Sequence, residues 1–293
     1  MSPFTFNPND LQRLNRLVFS ARGTSNDPSG NRRSRHRGDG IDFLDFRPYT
    51  PGDDVRKVDW NVYGRLQQLF IRLNESPRQL SVTILVDKSR SMMFGSPITK
   101  LEQAQRMACA LGFVAMRAGD RVFAYSFADG LSRGVGPISG ARGLASLVRF
   151  LQNIEPGGPS NLPEALAALR IAGRHRGMVV VLSDFLNIEN RERAMNAMAA
   201  SDGTVLAVQV LDEIDRGEGL SGNLRLRDSE SGRLVDVKID KRTLNKYRGA
   251  FDEDRQRFES RLTGKRRHYL LAFTHDHYLE LVCRALRDKA VLR

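Results

Sequence analysis

The sequence predicts an α/β fold: a doubly wound, mostly parallel sheet with helices on both faces, one antiparallel edge strand and an N-terminal extension. Three observations predict it. Apolar, β-branched runs occur at 80–86, 178–183 and 204–210, without polar alternation, as strands buried on both faces require. Stretches of helical periodicity separate these runs, and strands alternating with helices build a parallel sheet. The exception is RVFAYSF (121–127) followed by LSRGVG (131–136). The short link Ala128-Asp129-Gly130 makes that pair an antiparallel hairpin, expected at an edge.

The elements follow in order. An amphipathic helix is expected around Leu11, Leu14, Leu17 and Val18, then a polar basic loop. The segment GIDFLDFRPYTPGDDVRKVDWNVYGRLQQLFIRL reads as short strands joined by a turn at Pro51-Gly52, where Pro presets φ and Gly supplies a positive φ. Residues 1–79 are therefore assigned to the extension and 80–293 to the main domain. Within the latter, 100–119 is a helix with a capping box at Thr99 and Glu102 and a stop at Gly119. Helices follow near 141–153 and 162–174, the second boxed by Asn161 and Glu164 with Pro163 in its first turn. After the strand at 178–183 come a helix near 189–200 and the strand at 204–210. NLRLRD and RLVDVKI flank Ser231-Gly232 as a small inserted hairpin near 222–239. A charged helix at 241–262, a strand at 268–273 and a helix near 277–289 close the chain.

Composition narrows the function classes. The 293 residues contain no apolar run long enough to span a bilayer, and the N-terminus lacks the basic start and apolar block of a signal peptide, so a cytoplasmic protein without membrane insertion is expected. The two cysteines, Cys109 and Cys283, lie in helical stretches outside any CxxC pair, which argues against a thiolate zinc site. A net charge of +12 invites a nucleic-acid reading. The basic runs at 32–37 and 265–268 have no interleaved aromatics and no nucleic-acid motif around them. A solvated surface, or a docking face for an acidic protein, is the expected use, with nucleic-acid association through the N-terminal arm as an alternative.

Residues with chemistry gather at strand ends, where doubly wound sheets bind their ligands. The strand at 80–86 runs into Asp87-Lys88-Ser89-Arg90-Ser91, a DxSxS sequence, and the strand at 178–183 runs into Asp184. Between them Gly157-Gly158-Pro159-Ser160 forms a glycine-rich loop before a helix. Alternate spacing lets Asp87, Ser89 and Ser91 face one side of an extended loop. The set is all oxygen, which hard cations such as Mg²⁺ favour and zinc and copper do not. Two carboxylates roughly balance one divalent ion, and neutral serines leave it electrophilic toward a further anionic ligand.

In these residues the chain resembles the von Willebrand A fold with its metal-ion-dependent adhesion site. Asp87, Ser89 and Ser91 match the first element of that pattern, Asp184 the last, and Ser160 stands where a Thr is usual. The resemblance implies one Mg²⁺ (or Mn²⁺ or Ca²⁺) and a protein partner whose Asp or Glu supplies the missing ligand. The stretch GDGIDFLDFRPYTPGDDVRKVDWNVYGRL further resembles the signature of the bacterial domain-of-unknown-function family fifty-eight, which implies a MoxR-type AAA+ ATPase as partner. The expectation is a non-enzymatic binding module. A Mg²⁺-dependent phosphohydrolase is the enzymatic alternative, but the chain offers no DxD start, no P-loop and no Cys or His nucleophile setting.

Arg47, Asp53, Asp54, Arg56, Asp59 and Trp60 carry the signature. Alternating acids and bases suit mutual pairing and Trp60 suits burial, so a structural network is expected there rather than a docking surface. His275 and His277 lack a third metal ligand and read as part of a polar loop.

Overall fold

The computed structural model describes residues 8–20, 37–38, 42–75, 79–174, 176–229 and 232–292. The basic run at 32–36 lies outside the described residues. The chain divides into two compact units, residues 24–79 and residues 1–23 with 80–293.

The first helix, α1 (Pro8–Leu14), belongs to the larger unit. The sequence reading placed it in the extension, but Leu14, Leu17 and Phe19 are buried in the main core. The Phe19–Leu292 bridge and the hydrogen bond from Ser20 N to Val291 O (2.9 Å) join this segment to the distal end of the chain.

The smaller unit carries β1 (Arg37–Gly38), β2 (Asp42–Pro48), α2 (Trp60–Leu66) and β3 (Phe70–Glu75), with strand order β1-β3-β2, all antiparallel. Its small core is Val58 and Ile71 with Tyr49. The sequence predicted only short strands here. A helix forms instead because Asp59 caps it, accepting from Asn61 N (3.0 Å) and Val62 N (3.2 Å), while Gln67 closes it in the left-handed conformation. Arg47 pairs with Asp53, whose carboxyl this guanidinium and the Thr50 hydrogen bonds hold well below the usual range. Asp54 caps a 3₁₀ turn through Arg56 N (3.0 Å). The expected pairing is thus found at Arg47–Asp53, while Asp54 and Asp59 cap helical turns. Trp60, expected to be buried, is 60% exposed, its ring edge-on to Tyr63 at 6.0 Å.

The larger unit continues with β4 (Ser81–Asp87), α3 (Lys100–Arg117), β5 (Arg121–Phe127), β6 (Val135–Ile138), α4 (Gly140–Gln152), α5 (Leu162–Ile171), β7 (Met178–Ser183), α6 (Ile188–Ala199), β8 (Thr204–Leu211), β9 (Gly222–Arg227), β10 (Leu234–Ile239), α7 (Lys241–Leu262) and β11 (Arg267–Phe273). A helical stretch closes it, Tyr278–Glu280 and Leu286–Asp288 flanking a π-helical segment, Leu281–Ala285. The six-stranded sheet has the order β11-β8-β7-β4-β5-β6. It is parallel except for β5–β6. The edge strand forms at 135–138 rather than 131–136, leaving only the Phe127–Leu131 bridge near the turn. β9 and β10 form a separate antiparallel hairpin.

Strand side chains alternate between two cores. Val82, Ile84, Val86, Val180, Leu182, Leu206 and Val208 join α3, α4, α1 and the closing helix on one side. Leu85, Val179, Val181, Val205 and Ala207 join residues of α5, α6 and α7 on the other. Both faces being covered is why these strands read as continuous apolar runs. Among the described residues no helix is long and apolar enough to cross a membrane.

One turn sets where β7 enters the sheet. Gly177 has φ +92°, and a Cβ there would overlap the Ser81 carbonyl oxygen. Gly177→Ala should therefore destabilise the fold by roughly 3 kcal/mol, from backbone strain plus overpacking. A urea-unfolding midpoint within error of wild type would refute this.

Candidate metal centre

β4 and β7 lie side by side and parallel, with Val86 opposite Leu182. Their carboxyl ends therefore bring Asp87 next to Ser183 and Asp184. Asp87 is fully buried and its carboxylate organises the site. Oδ1 accepts from Ser89 N (2.8 Å), while Oδ2 accepts from Ser160 Oγ (2.9 Å) and Ser183 Oγ (2.6 Å). Ser89 Oγ and Ser91 Oγ are 3.1 Å apart. The DxSxS loop is held in a 3₁₀ turn, Arg90–Met93, with Met92 buried as its anchor.

Main-chain hydrogen bonds bring in the glycine-rich loop. Gly157 N donates to Lys88 O (2.8 Å), and Arg90 N donates to Gly158 O (3.1 Å). Gly158, at φ +82°, lies where a Cβ would press on that of Ala128. Glycine is what allows this approach. Asn161 does not box its helix with its side chain; its backbone N–H donates to Ala128 O (2.7 Å), which holds Ser160 inward. Asn190 Nδ2 donates to Ser160 O (3.0 Å).

Asp184 is also buried. Gln209 Nε2 donates to its carbonyl (2.8 Å), and Phe185 turns the chain away in the left-handed conformation, φ 53°. Its Oδ1 accepts from Leu186 N at 3.3 Å. Its Oδ2 meets a residue the sequence reading did not select, Lys100, whose Nζ lies 2.8 Å away and 3.2 Å from Asp215 Oδ2. Lys100 is 1% exposed. Burial alone would depress its ammonium, but Asp184 and Asp215 outweigh burial and hold it above its usual value. The local signal was a cation in the first turn of α3, where the helix dipole disfavours one. Asp215, 115 residues away, had no such signal.

Four of the five predicted residues thus meet, with Asp184 one residue beyond Ser183, whose hydroxyl donates to Asp87. Asp87, Ser160, Ser89 and Ser91 form one hydrogen-bonded group around the Asp87 carboxylate, while Asp184 is drawn toward Lys100. Burial first, and then the negative charge of Asp184, push the Asp87 carboxyl up to about 6. Burial and Asp184 likewise raise Asp215, against the pull of Lys100. Asp184 and Asp215 share the Lys100 ammonium, and the Asp87 carboxylate near Asp184 adds a negative charge that a divalent cation would relieve. Among the described residues no three His, Cys, Asp or Glu side chains form a cluster able to hold an ion. A cation at this site would depend on the serine hydroxyls.

Fold and site define an α/β protein with a buried group of hydroxyls and carboxylates at the strand ends of a mixed six-stranded sheet. The chain belongs to the family described as Protein of unknown function DUF58, whose profile matches residues 45–257. An uncharacterized protein of Mycobacterium tuberculosis (strain ATCC 25618 / H37Rv) is 34% identical over 208 residues, covering 69% of this chain and 65% of that protein. An uncharacterized protein of Mycobacterium bovis matches with the same figures. The chain thus spans about 65% of the length of these relatives. Among solved structures, the conserved hypothetical protein BatB from Bacteroides thetaiotaomicron aligns over 72% of this chain and 98% of its own, at 18% identity and TM-score 0.43.

Proposed function

We propose that this chain is a divalent-cation-dependent protein-binding module of the von Willebrand A type, not an enzyme. Asp87, Ser89, Ser91, Ser160 and Asp184 would hold one Mg²⁺, replaceable by Mn²⁺ or Ca²⁺, and an Asp or Glu of a partner protein would complete its ligands. The observation that carries this reading is the hydrogen-bonded group of Asp87, Ser89, Ser91 and Ser160, with the negative charge of buried Asp184 acting on Asp87. Oxygen-only donors suit a hard cation. The ion would supply a point of positive charge for a carboxylate. Lys100 supports the same reading, because an ammonium on Asp184 withdraws that carboxylate's charge from the ion and leaves more attraction for an outside ligand. Binding rather than turnover is supported by the serine hydroxyls, which are engaged with one another or with Asp87. The proposed partner is a MoxR-type AAA+ ATPase, with this chain as its adaptor.

Mn²⁺ titration followed by electron paramagnetic resonance tests the site. One tightly held ion is expected in wild type and none in Asp87→Ala, with circular dichroism confirming that the variant is folded. Equal Mn²⁺ binding by both proteins would overturn the assignment.

A further inference from the structure

On the α3 side of the larger unit, α1 and the closing helix line a cleft of about 550 Å³. Arg13 and Arg16 stand on one wall, Arg284 and Arg287 on the other. Each pair is three residues apart on helical or near-helical backbone, so both members share a face. Among the described residues, none of these four guanidinium groups has an ion-pair partner. Leu17 and Cys283 line the cleft between them. The walls are held by buried Leu14, Leu17, Val282 and Leu286 and by the Phe19–Leu292 bridge. Among the described residues Asp288 is the one acidic residue in the lining, and Asp10 lies close enough to act on Cys283.

We infer that this cleft is a binding site for a compact polyphosphate anion, separate from the metal-centre residues. Four fork-shaped donors around one small volume are what phosphate oxygens need, since guanidinium groups bind them bidentately. Like charges so gathered repel until an anion joins them. Compactness decides between ligand classes. An extended acidic peptide spaces same-side carboxylates about 7 Å apart, so one or two at most enter such a cleft. A di- or triphosphate brings all its charges into the same volume. Among the described residues no aromatic side chain lines the cleft, so they give a nucleobase no stacking surface and the site should take the phosphate chain whether free or borne on a nucleotide.

Isothermal titration of the whole chain, in EDTA so that the metal centre takes no part, tests this with tripolyphosphate, pyrophosphate, ATP, GTP and a deca-glutamate peptide. Tripolyphosphate should bind at one site, ATP and GTP within about threefold of it, and deca-glutamate at least tenfold more weakly. Arg13→Ala/Arg287→Ala should weaken tripolyphosphate at least tenfold at unchanged melting temperature. Arg170→Ala/Arg193→Ala, which removes the same charge from exposed positions elsewhere, should leave binding unchanged. Cys283 provides a local readout: tripolyphosphate should slow its alkylation by iodoacetamide several-fold in wild type and not in the cleft variant. Equal loss in both double variants, no protection of Cys283, or tighter binding of deca-glutamate would each overturn the inference. The last would mark an acidic-polypeptide surface instead. A preference for ATP or GTP of more than tenfold over tripolyphosphate would overturn the phosphate-only recognition.

Discussion

Lys100→Met is expected to lower the stability of the cation-free protein by about 3–5 kcal/mol, the usual penalty for stranding one side of a buried ion pair. Methionine keeps most of the aliphatic bulk of the lysine stem, so the loss reports charge rather than packing. Asp184 and Asp215 would then face each other without the ammonium that lies 2.8 Å and 3.2 Å from them. Burial prevents water from replacing it, because Asp184 is 2% exposed. The same substitution frees Asp184 Oδ2, so the variant should bind Mn²⁺ more tightly than wild type, and Mg²⁺ should restore part of the lost stability. Urea unfolding in EDTA and in excess Mg²⁺ reads both effects. A loss under 1 kcal/mol in EDTA would mean that Lys100 does not compensate the site's charge. A normal loss without any Mg²⁺ rescue would separate the ion pair from cation binding and count against the proposed metal centre.

The second large effect concerns pH. The Asp87 carboxyl is raised from the ordinary range to about 6 in the folded protein, by burial and by Asp184. A raised folded value means that the folded state binds the proton more tightly than the unfolded state does. Its contribution to stability is therefore complete below pH 4 and is lost as pH rises through about 6. At neutral pH the loss is roughly 2–3 kcal/mol. Without a cation, wild type should lose stability relative to Asp87→Asn between pH 4.5 and 7.5, because the amide does not ionise. Other carboxylates are perturbed as well, but Asp212 is lowered and titrates below this window. Burial would raise Asp212, but hydrogen bonds from Thr274, Ile214 N and Ser96 N outweigh it and lower its pKa, so its contribution runs the other way. The difference between wild type and Asp87→Asn cancels these shared terms. Under the metal-centre reading, Mg²⁺ should flatten the wild-type curve above pH 6 and leave that of Asp87→Asn unmoved. Parallel curves for the two proteins in EDTA would show that Asp87 is not perturbed as described.

Much of this was legible in the sequence. The runs at 80–86, 178–183 and 204–210 became β4, β7 and β8 in the sheet centre, because a strand packed on both faces leaves an uninterrupted apolar signature. Thr99 caps α3 through Glu102 N, although Glu102 itself pairs with Arg106 rather than closing the box. Asp87 and Asp184 could be placed at one sheet edge because each directly follows a readable strand, and parallel strands end on the same side. The family signature pointed correctly to Arg47–Asp53. It misled on Trp60 and on α2, where the Asp59 cap decides local structure that hydrophobic pattern does not report.

Sequence alone determined the central strands and the placing of Asp87 and Asp184 at the ends of two of them, because periodicity and strand-end position are local properties of the chain. Tertiary structure alone decided what surrounds them. Ser183 shares the Asp87 carboxylate with a hydroxyl 23 residues before it, and Lys100 meets carboxylates 84 and 115 residues away. Arg13 and Arg287 come to line one cleft only because α1 docks in the main core. The net charge of a site is a sum over residues that no sequence pattern joins, so it exists only once the chain is folded.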